Sequence, residues 1–455
     1  LMKLSIEKQN YLLDLYLHSP AELVANIQLP TDPLEINDFL ELAAHNKVGA
    51  NLFLQLKRLG CPIPAALLLP LEETYQKIRA KNIRRLEVGL PILNELKKAK
   101  IEVIILKGNA IAEEIFQDIG YKPMNDIDIL VKKEDLGAIY EIFLKNHLLT
   151  AAPLETDIRK QEKYSHHWPP FFDKKLDVFL GTHWNIAAPT RGLDIPVQDF
   201  WKDKESFVLM GETYFRLSPM HFLLHLCVHL NSAKTGLREI GDIVKLIEAR
   251  AHDLSTSEFL EMTIKAHAEH TVYEALSLVS ALCSFPFTET VLKKLDQLIP
   301  DENFKKLVLS RSSPRHKLLH IRTNYISKIE KTFALFMLTE APVEKTLLLA
   351  KMWKLYLLVP SSEALRLAYD FPDANLFRKI TASLVAPIKI SHVFINDLGP
   401  LIFLIVTMRH QWVLLNSYRH YIIKKIKGEP IHSLDSYAQS LGLTFKEIKE
   451  ISALD

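Results

Sequence analysis

IEVIILKGNAI, residues 101–111, is an apolar, β-rich run that ends on Lys107-Gly108 and passes into a helical pattern. A little further on comes YKPMNDIDILV, residues 121–131, and the two stretches together decide the fold. In NDIDILV acidic and apolar residues alternate, so a strand puts Asp126 and Asp128 on one face and Ile127 and Ile129 on the other. Two strand residues advance about 6.6 Å, and carboxylates converging from that separation can bracket metal ions held ~3.5–4 Å apart. Mg²⁺ favours a few carboxylates completed by phosphate oxygens, which such a strand offers. The Lys-Gly turn has the complementary chemistry. Backbone N–H groups at a helix start face whatever lies above them, Gly108 permits close approach, and Lys107 adds a point charge. The pair of features suits a triphosphate bridged by metal to Asp126 and Asp128. Either feature alone is commonplace; in this order, joined by one helix, they are much more specific.

Working outward, IEVIIL, DIDILV and KKLDVFL read as strands, separated by the helical patterns NAIAEEIFQDIG and KEDLGAIYEIFLKNHL. That places a compact α/β unit at 100–215. Residues 1–99 repeat apolar positions at helical spacing, and LEETYQKIRAKNIRRLEVGLPILNELKKAK reads as one long helix that Pro91 kinks or restarts. Helices return after 215, where Ser218 caps and Pro219 opens SPMHFLLHLCVHLNS. The expected organisation is an N-terminal helical region (1–99), a sheet-bearing core (100–215), a C-terminal helical domain (216–428) and a short polar helical tail (429–455). The expected class is α+β, mostly helical, with a small mixed sheet.

The totals agree with an ordinary globular chain. Of 455 residues, 48% are hydrophobic and 24% charged. A net charge of +2 leaves nucleic-acid binding to local patches. Cys61, Cys227 and Cys283 are widely spaced, which excludes a disulfide framework or a cysteine zinc site and suits a cytoplasmic location. LMKLSIEKQN lacks the apolar core of a signal peptide. The longest apolar run, PLIFLIVTM at 400–408, is shorter than the ~20 residues a transmembrane helix needs.

LKGNAI (106–111) followed by KPMNDIDILV (122–131) resembles the uncharacterised nucleotidyltransferase family of the DNA polymerase β-like superfamily, whose members commonly read LKG-x-A and then RPM-x-DIDLLV. HLCVHL (225–230), LREIGDIVKLI (237–247) and VPSSEALRLAYDFPDANLF (359–377) extend the likeness over roughly 80–400. The resemblance implies Mg²⁺ or Mn²⁺ at Asp126 and Asp128, and an NTP co-substrate. It makes Lys107, Gly108, Asn109 and Lys122 the phosphate-binding groups. Asn109 stands where wider relatives carry serine, and Lys122 replaces a more frequent arginine, keeping the charge but not its forked geometry.

A third carboxylate is expected on a neighbouring strand. Close relatives place an acidic residue two positions before His-Trp, where LDVFLGTHWNI has Gly181. Asp177, four residues upstream on the same predicted face, is the candidate third ligand and candidate base. The alternative is that Gly181 occupies that level and the ligand is missing, with His183 or water filling in. The remaining motifs read more plainly. His166, His167 and His183 match no standard zinc spacing. His221, His225 and His229 share a helix face as a partly buried contact, and Arg238 and Asp242 pair at i, i+4, or Arg238 reaches a phosphate. The basic, aromatic-studded 409–428 reads as a solvated helix face, with RNA or an anionic membrane as the alternative.

The expected activity is transfer of a nucleotidyl group from an NTP to the hydroxyl of an unidentified acceptor (peptide, protein, RNA or small molecule) with pyrophosphate release. A phosphoryl-transferring kinase acting on a peptide, and an inactive scaffold with the same fold, are the alternatives.

Overall fold

The computed structural model of the chain describes residues 29–59, 62–150, 165–175, 177–187, 192–232, 237–300 and 342–357, with a few single positions elsewhere. It divides into two compact units, Met2–Thr150 with Leu154–His320, and Ile321–Asp455 with Leu1 and Ala151–Pro153. The sheet and the candidate site belong to the first. In the second, helix Pro342–Leu357 is described. The segment 359–377 lies outside the described residues, as do most of 409–428 and of the tail after it.

The protein is α+β and mostly helical. Helix α1 (Pro33–His45) opens where Asp32 accepts hydrogen bonds from the Leu34 and Glu35 amides, with proline in its first turn. Helix α2 (Gly49–Leu59) follows, and then α3 (Ala65–Lys98), a continuous 34-residue helix. Pro91, expected to kink or restart it, lies inside the helix, as does Pro70. Lys97 and Lys98 close α3 against the negative end of its dipole.

The core sheet has seven strands in the order β3-β4-β5-β2-β1-β7-β6. These are β1 (Ile104–Ile105), β2 (Ile127–Leu130), β3 (Leu149–Thr150), β4 (Phe171–Phe172), β5 (Phe179–His183), β6 (Glu205–Leu209) and β7 (Glu212–Arg216). It is mixed: β1 runs antiparallel to β2 and parallel to β7, and β2 runs parallel to β5. Between β1 and β2 a short helix, α4 (Lys107–Ile111), loosens into a π turn at Ala112–Phe116. Helix α5 (Leu136–Lys145) links β2 to β3.

Alternation along β2 sorts its two faces. The Ile127 face packs on α3, which comes so near that a Cβ at Gly89 would fall 2.4 Å from Ile127 Cδ1 and 3.1 Å from Val178 Cγ2. Glycine at 89 is what lets helix and sheet close on each other. The opposite face carries Asp128. After β5 the chain continues through α6 (Val197–Lys202), β6 and β7, then α7 (Pro219–Ser232) and α8 (Leu237–Arg250). Further helices run Thr256–Lys265, Glu269–Ser280 and Pro286–Leu298. One hydrophobic core joins Phe39 and Leu52 of the early helices, Ile129 and Leu180 of the sheet, and Leu224 and Ile243 of the later helices. Among the described residues no helix is long and apolar enough to cross a membrane.

Candidate active site

The Lys-Gly turn is built by strand pairing. Leu106 N donates to Asp128 O at 2.9 Å, which fixes the end of β1 against the middle of β2. The next residue, Lys107, adopts a left-handed backbone at φ 52°. That conformation costs a non-glycine residue ~1–2 kcal/mol. Strain held at a polar strand end is typical of functional turns. Gly108, read in the sequence as permitting close approach, has close neighbours: a Cβ there would stand 3.1 Å from Lys122 Cε and 3.2 Å from Met124 Cγ.

Lys107 Nζ lies 2.8 Å from Asp128 Oδ2. The other oxygen, Oδ1, lies 2.9 Å from His183 Nε2. Asp128 is only 4% exposed. Burial pushes its carboxyl up, but the Lys107 ammonium and the His183 ring outweigh that and hold it well below the usual carboxylate range. Burial drives His183 down to about 4 against the pull of Asp128. An ionised carboxylate only accepts, so neutral His183 donates from Nε2.

The β2–β5 register sets Asp128 opposite Gly181. A Cβ at 181 would fall 2.2 Å from Asp128 Oδ1 and 3.2 Å from His183 Nε2. The space that an acidic side chain would fill is therefore taken by the Asp128 carboxylate itself. Asp177 sits elsewhere. It precedes β5, because the Asp173 carboxylate accepts from the amides of Asp177 (2.7 Å) and Val178 (2.9 Å) and draws them into a turn. Its own carboxylate pairs with Arg84 at 2.9 Å. Four residues upstream of the Asp128 level is about 13 Å of extended chain, so the structure does not bring Asp177 to Asp128.

Asp126 is half-buried just before β2. Its carbonyl accepts from Asn109 Nδ2 at 3.1 Å, so buried Asn109 ties the turn to the start of the strand. Lys122 is buried and ion-paired with Asp242 of α8, which also accepts from Tyr121 Oη at 3.2 Å. Lys122 thus underlies Gly108 while its charge is engaged by Asp242. The expected Arg238–Asp242 pair gives way to this, and Arg238 instead bonds Glu239 at 2.9 Å.

Asn82 and Arg85 of α3 were missed by sequence reasoning. Asn82 Nδ2 donates to the carbonyls of Ile119 (2.6 Å) and Lys122 (2.9 Å), and its Oδ1 accepts from Met124 N (3.2 Å). Arg85 donates to Met124 O at 2.6 Å. Together they shape the loop that delivers Asp126. The signal was present: both are polar residues on the buried stripe that includes Leu86 and Gly89.

Three histidines surround His183 and Asp128. His167 bridges to His183 in the sheet direction, with ring centroids 5.0 Å apart, and the His166 ring lies 5.5 Å from His183. His225 of α7 is buried and within the electrostatic reach of Lys107, His183 and Asp128. Among the described residues no group of three or more His, Cys, Asp or Glu is placed to hold a metal ion. Asp126 just before β2 and Asp128 within it supply carboxylate oxygens, the ligand type that Mg²⁺ completes with phosphate oxygens and water.

Valine at position 108 is expected to push on Lys122, which Asp242 holds in place. A loss of about 1–3 kcal/mol in stability and at least about tenfold in NTP affinity should appear in melting and calorimetric titration. Unchanged values in both would mark the turn as ordinary.

These features make the chain an α+β protein with a largely buried charged cluster where the end of β1 meets β2 of a mixed sheet. The sequence profile of the family described as uncharacterised nucleotidyltransferase matches residues 32–284, more than half of the chain, and the chain belongs to that family. The match spans both carboxylates, the Lys-Gly turn, His225 and Asp242. No curated protein and no solved structure matches the chain.

Proposed function

We propose that the chain moves a nucleotidyl group from an NTP to an acceptor hydroxyl. The acceptor oxygen bonds the α-phosphorus as its proton passes to solvent, the bond from that phosphorus to the bridging oxygen breaks, and pyrophosphate leaves. The observation that carries the reading is the Lys107 ammonium 2.8 Å from the Asp128 carboxylate, at a turn where glycine lets the backbone close on Lys122 and Met124.

Each residue has a role that follows from its place. Asp128 is ionised at neutral pH and fixed in orientation by His183 on Oδ1, so its Oδ2 becomes a hard oxygen ligand once Lys107 turns away from it. Lys107 is the mobile charge: its side chain is a quarter exposed, and a triphosphate competes with Asp128 for its ammonium. Asp126 supplies the second carboxylate, held by Asn109 and the Asn82–Arg85 clamp on the preceding loop. Lys122 acts beneath the turn, supporting Gly108 through its pair with Asp242. Mg²⁺ or Mn²⁺ entering with the phosphates and held by Asp126 and Asp128 would neutralise the charge that develops during transfer.

A second reading has one specific observation behind it. With Gly181 opposite Asp128 and Asp177 on Arg84, neither candidate position adds a third carboxylate to the pair among the described residues, and a nucleotide-binding scaffold needs only the pair and the turn. One experiment separates the readings. The protein is incubated with Mg²⁺ and each NTP labelled at the α or the γ position, with and without host lysate. Transfer of α label supports nucleotidyl transfer. Transfer of γ label points to a kinase, and binding without transfer to the scaffold.

A further inference from the structure

We infer that His225, reaching the site from helix α7, contacts the substrate directly: its neutral imidazole hydrogen-bonds an oxygen of the triphosphate that Lys107 draws in. The inference rests on the nucleotide reading of the site. His225 is 2% exposed, and among the described residues its Nδ1 has no hydrogen-bond partner. A buried polar atom without a partner weakens the fold, and native structures keep few of them. His221, on the same helix face, makes the contrast, for its Nδ1 lies 2.9 Å from Ser218 Oγ. A histidine kept only for packing would be satisfied in the same way.

The surroundings say what the ligand is. The groups that His225 senses most are Lys107, then His183 and Asp128. Burial holds the ring down at about 3, so it is uncharged at neutral pH and does not compete with Lys107 for an anion's charge. A second orphan nitrogen converges from a separate segment: Nδ1 of His166 is also buried without a partner. Burial acts most on His166, then His167 and His183, whose ring lies 5.5 Å away, and after them Lys107 and His225. Two neutral imidazoles, each able to donate one N–H, beside one ammonium, form a donor set for phosphoryl oxygens. The base and sugar of a nucleotide would not account for the lysine at its centre.

The test uses inorganic tripolyphosphate and ATP, each with Mg²⁺, titrated calorimetrically into the full chain and its variants alongside thermal melting. His225→Leu is expected to melt at or above the wild-type temperature, because the unpaired nitrogen is gone. It is also expected to bind tripolyphosphate about tenfold more weakly. His225→Asn, whose amide stands near the former Nδ1, should recover most of that loss. Lys107→Ala reports on the site itself and should bind neither probe well. If His225→Leu binds like wild type while Lys107→Ala does not, His225 is no ligand contact and the nucleotide reading stands. A variant melting well below wild type makes the ring a structural element, which overturns the inference. A wild-type chain that binds neither probe overturns the nucleotide reading, and this inference with it.

Discussion

Asp128→Asn is expected to lower nucleotidyl transfer by at least about 10²–10³-fold, the usual cost of one lost charge-stabilising contact. Asparagine keeps the size and can still accept from His183, but it removes the negative charge facing Lys107. Stability should fall as well, because an ammonium loses its partner. Lys107 is a quarter exposed and can turn to water, so the loss should be only about 1–2 kcal/mol. Asp126→Asn should match the loss in rate with little change in melting, since Asp126 is half-buried. An Asp128→Asn chain that keeps more than a tenth of the wild-type rate would remove Asp128 from the chemistry.

The largest effect on stability should come from Lys122→Met. Lys122 and Asp242 are both nearly excluded from solvent, and each is the other's counter-charge. Burial raises the Asp242 carboxyl even against the pull of Lys122, which shows how costly its charge becomes once the lysine is gone. Breaking such a pair from one side costs about 3–5 kcal/mol. The double variant Lys122→Met with Asp242→Leu should recover much of this, because no charge is left stranded. Melting of the single and double variants measures both statements. A single variant that melts like wild type would mean that the pair carries no structural weight.

Part of this was legible in the sequence. The change from helical to strand period at 101, and the alternation in DIDILV, place Asp126 and Asp128 beside a Lys-Gly turn, and both patterns are local. What could not be read depends on contacts distant in the chain. Lys122 finds Asp242, 120 residues on, although spacing on the helix had given Asp242 to Arg238. The strand read in KKLDVFL starts later than its alternation suggested, because the Asp173 carboxylate captures two amides that a ladder would have used. The parallel register of β2 with β5 sets Gly181 against Asp128, and register is a property of the packed sheet. His183 was visible only as a substitute ligand. Its role as the donor that orients Asp128 follows from that same register.

The most direct test of the central claim is a crystal structure of the chain with Mg²⁺ and an NTP analogue that resists cleavage between the α and β phosphates. The expected result has the phosphates over the Lys107–Gly108 turn, Lys107 drawn from Asp128 to a phosphate oxygen, and metal between that phosphate and the carboxylates of Asp126 and Asp128. A nucleotide bound elsewhere, with the Lys107–Asp128 pair intact and no metal beside it, would contradict the account.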